Sequence, residues 1–278
     1  MWLLRYSGSI MNRRQFPLAA AAAGGALLSS SSMSAAAQST SSSKTAIIEL
    51  RYYHLRNGAD NQRQRLSEFL AKQQLPALKR AGAVSMGVFG NTIGEKGPYL
   101  LQVSSYASPA ALVDAAAKLA ADEALVKESA NFYNAPGLPY VRMEVQLLQA
   151  FDGMPQIEAP AGETGRAARI FELRTYESNT PLSLAKKIQM FEQGEIAIFR
   201  KTGLQPVFFG RMIAGPNMPN LTYMLCYDDL AARERNWRAF VSHPEWVKLR
   251  ATPGWSDAEI VSNISNSILS PIQGSPIR

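Results

Sequence analysis

The chain has 278 residues, room for one large domain or two modest ones, and 46% of them are apolar against 18% charged, the balance of a packed globule. Its formal charge of +7 falls to 26 basic against 22 acidic residues once Arg5, Arg13 and Arg14 of the amino-terminal segment are set aside. No run of Lys and Arg interleaved with aromatics tracks a phosphate backbone, which argues against nucleic acid as a partner, and the single cysteine, Cys226, rules out an intrachain disulfide.

At the amino terminus, Asn12-Arg13-Arg14-Gln15-Phe16-Pro17-Leu18 resembles the twin-arginine export signal. The stretch Leu18–Leu28 is mostly Ala and Gly, too short for a membrane span of about 20 apolar residues. Ala35-Ala36-Ala37 offers the small residues a signal peptidase reads, so residues 1–37 are expected to be removed and the protein to be periplasmic and not membrane-spanning. Either Met1 or Met11 can be the start. Residues 38–45 then form a flexible, Ser-rich leader.

From residue 46 the chain repeats itself at an offset of about 121 residues. Ile48-Glu49-Leu50-Arg51-Tyr52-Tyr53 answers to Phe171-Glu172-Leu173-Arg174-Thr175-Tyr176, and Leu78-Lys79-Arg80-Ala81-Gly82 to Phe199-Arg200-Lys201-Thr202-Gly203. Val88-Phe89-Gly90 matches Phe208-Phe209-Gly210, and Val126-Lys127 matches Val247-Lys248.

The first copy opens with a strand at Ile47–Tyr53. A helix from about Asn61 follows, with Leu66, Phe69, Leu70 and Leu78 on one face, and in the second copy Ile188, Phe191, Ile196 and Phe199 do the same. Both helices end in two basic residues and a glycine, which suits the negative end of the dipole and a left-handed cap. Strands at Val84–Gly90 and Tyr99–Tyr106 flank a turn at Asn91–Pro98, and a second helix spans Ala110–Ala121. Pro139–Leu148 and Glu259–Leu269 read as the fourth strands of the two copies. Ser242-His243-Pro244-Glu245 reads as a capping box that leaves His243 in a first helical turn.

This order predicts an α+β fold: two tandem ferredoxin-like β-α-β-β-α-β repeats, residues 46–151 and 169–270, packed sheet to sheet as a pseudo-dimeric α/β barrel within one chain. Residues 152–168 read as a linker and 271–278 as a tail, and a higher oligomer stays open.

At the doubled Glu-Leu-Arg-x-Tyr strand the sequence resembles the NIPSNAP family of the dimeric α/β-barrel superfamily, over essentially residues 46–270. Trp237, Phe240 and Pro244-Glu245-Trp246 carry the likeness in the second copy. His243 stands where the family usually has an acidic residue, and Asp122-Glu123-Ala124-Leu125 replaces the tryptophan motif in the first copy. The family resemblance implies the fold and no particular reaction.

Alternation places Glu49, Arg51 and Tyr53, and likewise Glu172, Arg174 and Tyr176, on one face of their strands. With the apolar face against helices, these polar sets point at the opposing sheet. There they either join the halves as a Glu–Arg network or line a cavity for a small anionic or aromatic ligand. His54, beside Tyr52 on the helix side, is the candidate general base. Cys226 lies in an apolar run as a buried thiol. Two histidines, His54 and His243, give no multi-histidine metal site, though either could be an axial haem ligand; no metal and no cofactor is expected. No serine-nucleophile motif, phosphate loop or dinucleotide fingerprint is present. The expectation is a non-catalytic module that binds a small ligand or a partner; the alternative is a cofactor-independent oxygenase or isomerase acting in the barrel interior.

Overall fold

The computed structural model describes residues 45–58, 60–160 and 167–278; the segment expected to be an export signal and most of the expected leader lie outside them. Strand β1 (Ile47–His54) leads into α1 (Gln62–Phe69), which continues through a π-helical turn at Leu70–Gln74 into α2 (Leu75–Ala81). Strands β2 (Ser85–Ile93) and β3 (Tyr99–Tyr106) form a hairpin, α3 (Pro109–Ala121) and α4 (Glu123–Tyr133) follow, and β4 spans Arg142–Ala150. The second series is β5 (Ile170–Glu177), α5 (Pro181–Met190), a π-helical turn at Phe191–Glu195 and α6 (Ile196–Lys201). It continues with β6 (Gln205–Ala214), β7 (Asn220–Tyr227), α7 (Leu230–Ser242), α8 (Pro244–Arg250), α9 (Asp257–Ile260) and β8 (Asn263–Pro271).

Local chemistry sets these boundaries. Gly82 closes α2 at φ 106°, a left-handed conformation that costs a side-chain-bearing residue more. Ser108 and Asp229 cap α3 and α7 by accepting from Ala111 N and Ala232 N. Asp122 does the same for α4 through Leu125 N, a helix not expected from the sequence. The expected box at Ser242 does not form. Ser242 Oγ donates to Arg238 O, and His243 is itself the cap, its Nδ1 accepting from Glu245 N at 3.3 Å. Pro244 is the reason, because it drives the preceding residue out of the helical region, and His243 sits at ψ 128°. A capping box does form at Ser256 and Glu259, which delays β8 to Asn263.

All neighbouring strands are antiparallel and close into one eight-stranded barrel in the order β1-β3-β2-β8-β5-β7-β6-β4. The seams that close it are β2 with β8, where Gly90 faces Ser270, and β4 with β6, where Ala150 faces Gly210. Within β1, Leu50 lies opposite Val103 of β3 and Gln146 of β4, and within β5, Leu173 lies opposite Met224 and Ser267. Residues directly opposite share a face, so Ile48, Leu50, Phe171 and Leu173 point into the barrel with Phe89, Leu101, Val103, Leu148, Phe208 and Met224. Two further clusters lie outside it, under the helices: one around Leu66, Leu70, Leu78 and Tyr106, the other around Phe191, Phe199, Phe209, Tyr223 and Phe240.

One end of the barrel is plugged. Ile157, from the stretch expected as a linker, and Ile277, from the expected tail, both belong to the interior cluster. Backbone bonds Ala46 N to Pro155 O and Glu158 N to Val207 O pin the first segment, and Val88 N to Ser275 Oγ pins the second. No helix among the described residues is long and apolar enough to cross a membrane.

Candidate functional site

The Glu-Leu-Arg-x-Tyr strands alternate as expected, but the faces are the reverse of the expectation. Glu49 and Tyr53 sit under the helices of the first series, while Ile48 and Leu50 enter the barrel. The same holds for Glu172 and Tyr176 against Phe171 and Leu173. Below its one open end the barrel interior is closed off from water, so it takes the side chains with nothing to hydrogen-bond. The space between sheet and helix supplies polar partners. Nor do these pairs bridge opposite strand sets: Arg51 donates to Glu49 at 2.9 Å and Arg174 to Glu172 at 2.8 Å, each within its own strand.

Glu172 is fully buried and saturated with donors. It accepts from Arg233 through Nε and Nη2 (2.9 and 2.7 Å), from Tyr227 OH at 2.9 Å, Asn266 Nδ2 at 2.8 Å and Trp237 Nε1 at 3.2 Å. Burial would raise its pKa, but Arg233, Arg174 and Asn266 more than reverse that and hold it at about 2. Arg174 lies 4.6 Å from the Trp237 ring centroid and donates to Tyr223 OH and Tyr176 OH. Nearby, the buried Lys187 bonds Glu195 (3.2 Å) and Asp257 (3.1 Å) beneath the rings of Tyr176, Phe191 and Trp246. Burial pushes Glu195 up to about 7, and Lys187 recovers only part of that. Every charge here is matched, and Glu172, Lys187 and Glu195 at its centre are buried, which is how a structural network looks. In the first series, among the described residues, Glu49 has Arg51 and Tyr106 OH (3.1 Å) as its hydrogen-bond partners.

His54 travels with Tyr52, as alternation requires, but both point inward, at the end of the barrel away from the two isoleucine plugs. They line a polar mouth of about 110 Å³ with Tyr99, Glu144, Gln146, Thr175, Asn220, Ser265 and Ser267. The hairpin turns bearing Glu95, Lys96 and Asn217 reach over it. His54 is 5% exposed; its Nε2 lies 3.3 Å from Glu144 Oε1, without the alignment of a hydrogen bond. Arg142, bonded to Glu144 at 2.8 Å, and to a lesser degree His54 hold that carboxyl below its ordinary range. Burial pushes the Tyr52 hydroxyl far up, so it stays protonated and able to donate at neutral pH. Asn220 Nδ2 donates to Pro216 O and Asn217 O, which fixes the amide orientation and leaves the buried Oδ1 without a partner among the described residues.

Of the seven residues expected to bind ligand, then, the structure places His54 at this mouth and the six Glu, Arg and Tyr residues outside the barrel. The others at the mouth were missed. Their signal is in β4 and β8, whose inward positions run polar at the start and apolar at the end: Glu144, Gln146, then Leu148; Ser265, Ser267, then Leu269. A strand face that changes character along its length marks a barrel with one wet end.

With that geometry in place, comparison with known proteins gives a family for part of the chain and a fold for nearly all of it. No curated protein matches the chain. A candidate monooxygenase from Lactobacillus acidophilus NCFM superposes with a TM-score of 0.54 at 14% identity, over 84% of this chain and 99% of its own. An anthrone oxidase-like protein superposes at 0.51 with 10% identity, over 84% and 93%; at these identities the likeness is one of fold. An uncharacterized NIPSNAP-like domain protein from Burkholderia xenovorans is 25% identical over 39% of this chain and 90% of its own, with a TM-score of 0.35. Residues 171–276, which run from strand β5 through β8 to Pro276, match the NIPSNAP family model.

Proposed function

We propose that the chain is an exported, non-catalytic binding protein made of two tandem ferredoxin-like units, with its ligand seat in the polar mouth of the barrel. The strand order supports the tandem units: β4-β1-β3-β2 and β8-β5-β7-β6 have the same internal arrangement, and each series carries a π-helical turn at the same place, Leu70–Gln74 and Phe191–Glu195. Export by the twin-arginine route rests on Arg13-Arg14 and the alanines that follow.

One observation carries the binding reading. The barrel is filled by apolar side chains and plugged by Ile157 and Ile277, so that at its far end only about 110 Å³ is open, lined by polar groups. Sites for drug-sized molecules run from about 300 Å³ upward, so a multi-ring aromatic substrate has no room in this interior. That weighs against an oxygenase of the kind named among the fold neighbours. The approach of His54 Nε2 to Glu144 favours a second reading, proton transfer on a very small substrate.

Native mass spectrometry of the full chain and of Glu144→Leu, each purified from the export compartment, tests the proposal. A small molecule should accompany the wild type and be lost from the variant, with unfolding temperature little changed. A ligand retained in Glu144→Leu would place the seat elsewhere.

A further inference from the structure

Resting on the binding reading above, we infer that the mouth recognises an uncharged molecule bearing adjacent hydroxyl groups, either a free small polyol or the terminal ring of a sugar. Three features point to that class. The first is charge balance: Glu144 is salt-bridged to Arg142, which flanks the lining, and Glu95 stands beside Lys96 on the overhanging turn, so each carboxylate at the mouth has a cation next to it and no net charge is left to hold an ion. The second is the orphan. Asn220 Oδ1 is fixed in orientation, buried and unpartnered among the described residues, and an acceptor in that state is costly until a donor meets it. A carboxylate ligand has no proton to give it. An ammonium ion has, but cannot accept from Lys96 or the hydroxyl groups of the wall. A hydroxyl group does both.

The third feature is the division of the two walls. Equivalent strand positions carry Tyr52 and Thr175, Tyr99 and Asn220, Glu144 and Ser265. One wall thus presents aromatic faces and a strong acceptor, the other small hydroxyl and amide groups. Tyr52 and Tyr99 meet edge to face at 5.3 Å, and Tyr52 stacks with His54 at 6.2 Å. Such a surface covers the C–H side of a polyol while its hydroxyls reach the polar wall. The size agrees: a cavity of about 150 Å³ admits six carbon atoms, and this one is somewhat smaller and open on one side.

The test is titration of the 15N-labelled full chain with erythritol, methyl glucoside, acetate and methylammonium, reading amide shifts at His54, Tyr99 and Asn220. Erythritol or methyl glucoside should saturate with an affinity on the order of millimolar, as expected for so few atoms. Whichever binds tighter tells a free polyol from a sugar ring. Ser265→Ala combined with Glu144→Gln should weaken that binding roughly tenfold, the loss of about two hydrogen bonds, while shifts far from the mouth stay those of the wild type. Acetate or methylammonium binding more tightly than both hydroxylated probes overturns the ligand class and leaves the mouth as the seat. If no probe moves these amides, the class and the binding reading fall together.

Discussion

Replacing Glu172 by Gln should be among the most destabilising single changes in the barrel, and its effect should depend on pH in a defined direction. The carboxyl is fully buried, and its pKa is lowered from 4.5 to about 2. A shift of that size corresponds to about 3 kcal/mol of folding free energy. Because the folded value lies below the unfolded one, that stability is fully present above pH 4.5 and is lost as pH falls towards 2. In Glu172→Gln the loss is present at every pH, and Arg174 and Arg233 are left facing a neutral amide. Orphaning buried charge costs about 3–5 kcal/mol; Arg233 is partly exposed, so the lower end applies.

Urea unfolding at pH 6 and at pH 3 measures both parts. Because Glu195 titrates in the opposite sense over the same interval, the Glu172 part is read as a difference: Glu172→Gln should be less stable than wild type at pH 6, and the gap should narrow at pH 3. Adding Arg174→Met to Glu172→Leu should return part of the loss, since one stranded cation disappears. Glu49→Gln is the internal comparison: with Arg51 and Tyr106 as its hydrogen-bond partners, it should cost less than Glu172→Gln. A Glu172→Gln midpoint within about 0.5 kcal/mol of wild type, the scatter of ordinary surface changes, would refute the reasoning.

Ile157→Ala and Ile277→Ala should each cost about 2–5 kcal/mol in thermal or urea unfolding, because both side chains fill the barrel interior; a negligible loss at either position would mean that segment is not a plug. Glu195 has the opposite pH sign to Glu172. Its folded pKa of about 7 exceeds 4.5, so wild type should lose stability as pH rises from 4.5 to 7, and Glu195→Gln should lack that slope in melting temperature. Arg13→Lys with Arg14→Lys should leave precursor in the cytoplasm, and unchanged periplasmic yield would show that another route exports the chain.

Much of the fold was legible because two signals reinforce each other. The duplicated Glu-Leu-Arg-x-Tyr strand gives the repeat, and the order of helix and strand periodicities within it gives elements that the barrel contains at nearly the expected positions. What failed to show was the sense of each sheet. Period-2 alternation says that Leu50 and Arg51 face opposite ways, not which of them faces water, helix or partner sheet. The inward expectation for Arg51 and Arg174 rests on giving the apolar face to the helices. The deciding factor lies far away in sequence: Arg233 and Trp237 on α7 and Asn266 on β8 are what make a buried Glu172 tolerable under the helices. The plugs were hidden for a similar reason, since a single isoleucine in a Pro- and Gly-rich stretch has no periodicity to reveal it.

The two strand series differ in a way that separates stability from recognition. Across the helix-covered face, Arg233 and Trp237 on α7 stand where α3 has Leu112 and Ala116, and Lys187 and Glu195 stand where α1 and its π-helical turn have Leu66 and Gln74. The charged and aromatic network is therefore confined to the second series, which is also the segment that matches the NIPSNAP family. At the mouth the asymmetry runs the other way, with Tyr52, His54, Tyr99 and Glu144 all from the first series and mostly small polar side chains opposite. If the halves are copies of one unit, each has kept the framework and specialised a different face: the second binds its own helices tightly, and the first carries the groups able to hold a ligand. Changes in the helix-covered network of the second series should then move stability with little effect on the mouth, because the two lie on opposite faces of the same sheet and, among the described residues, are joined by the backbone ladder and the Asn266 contact with Glu172.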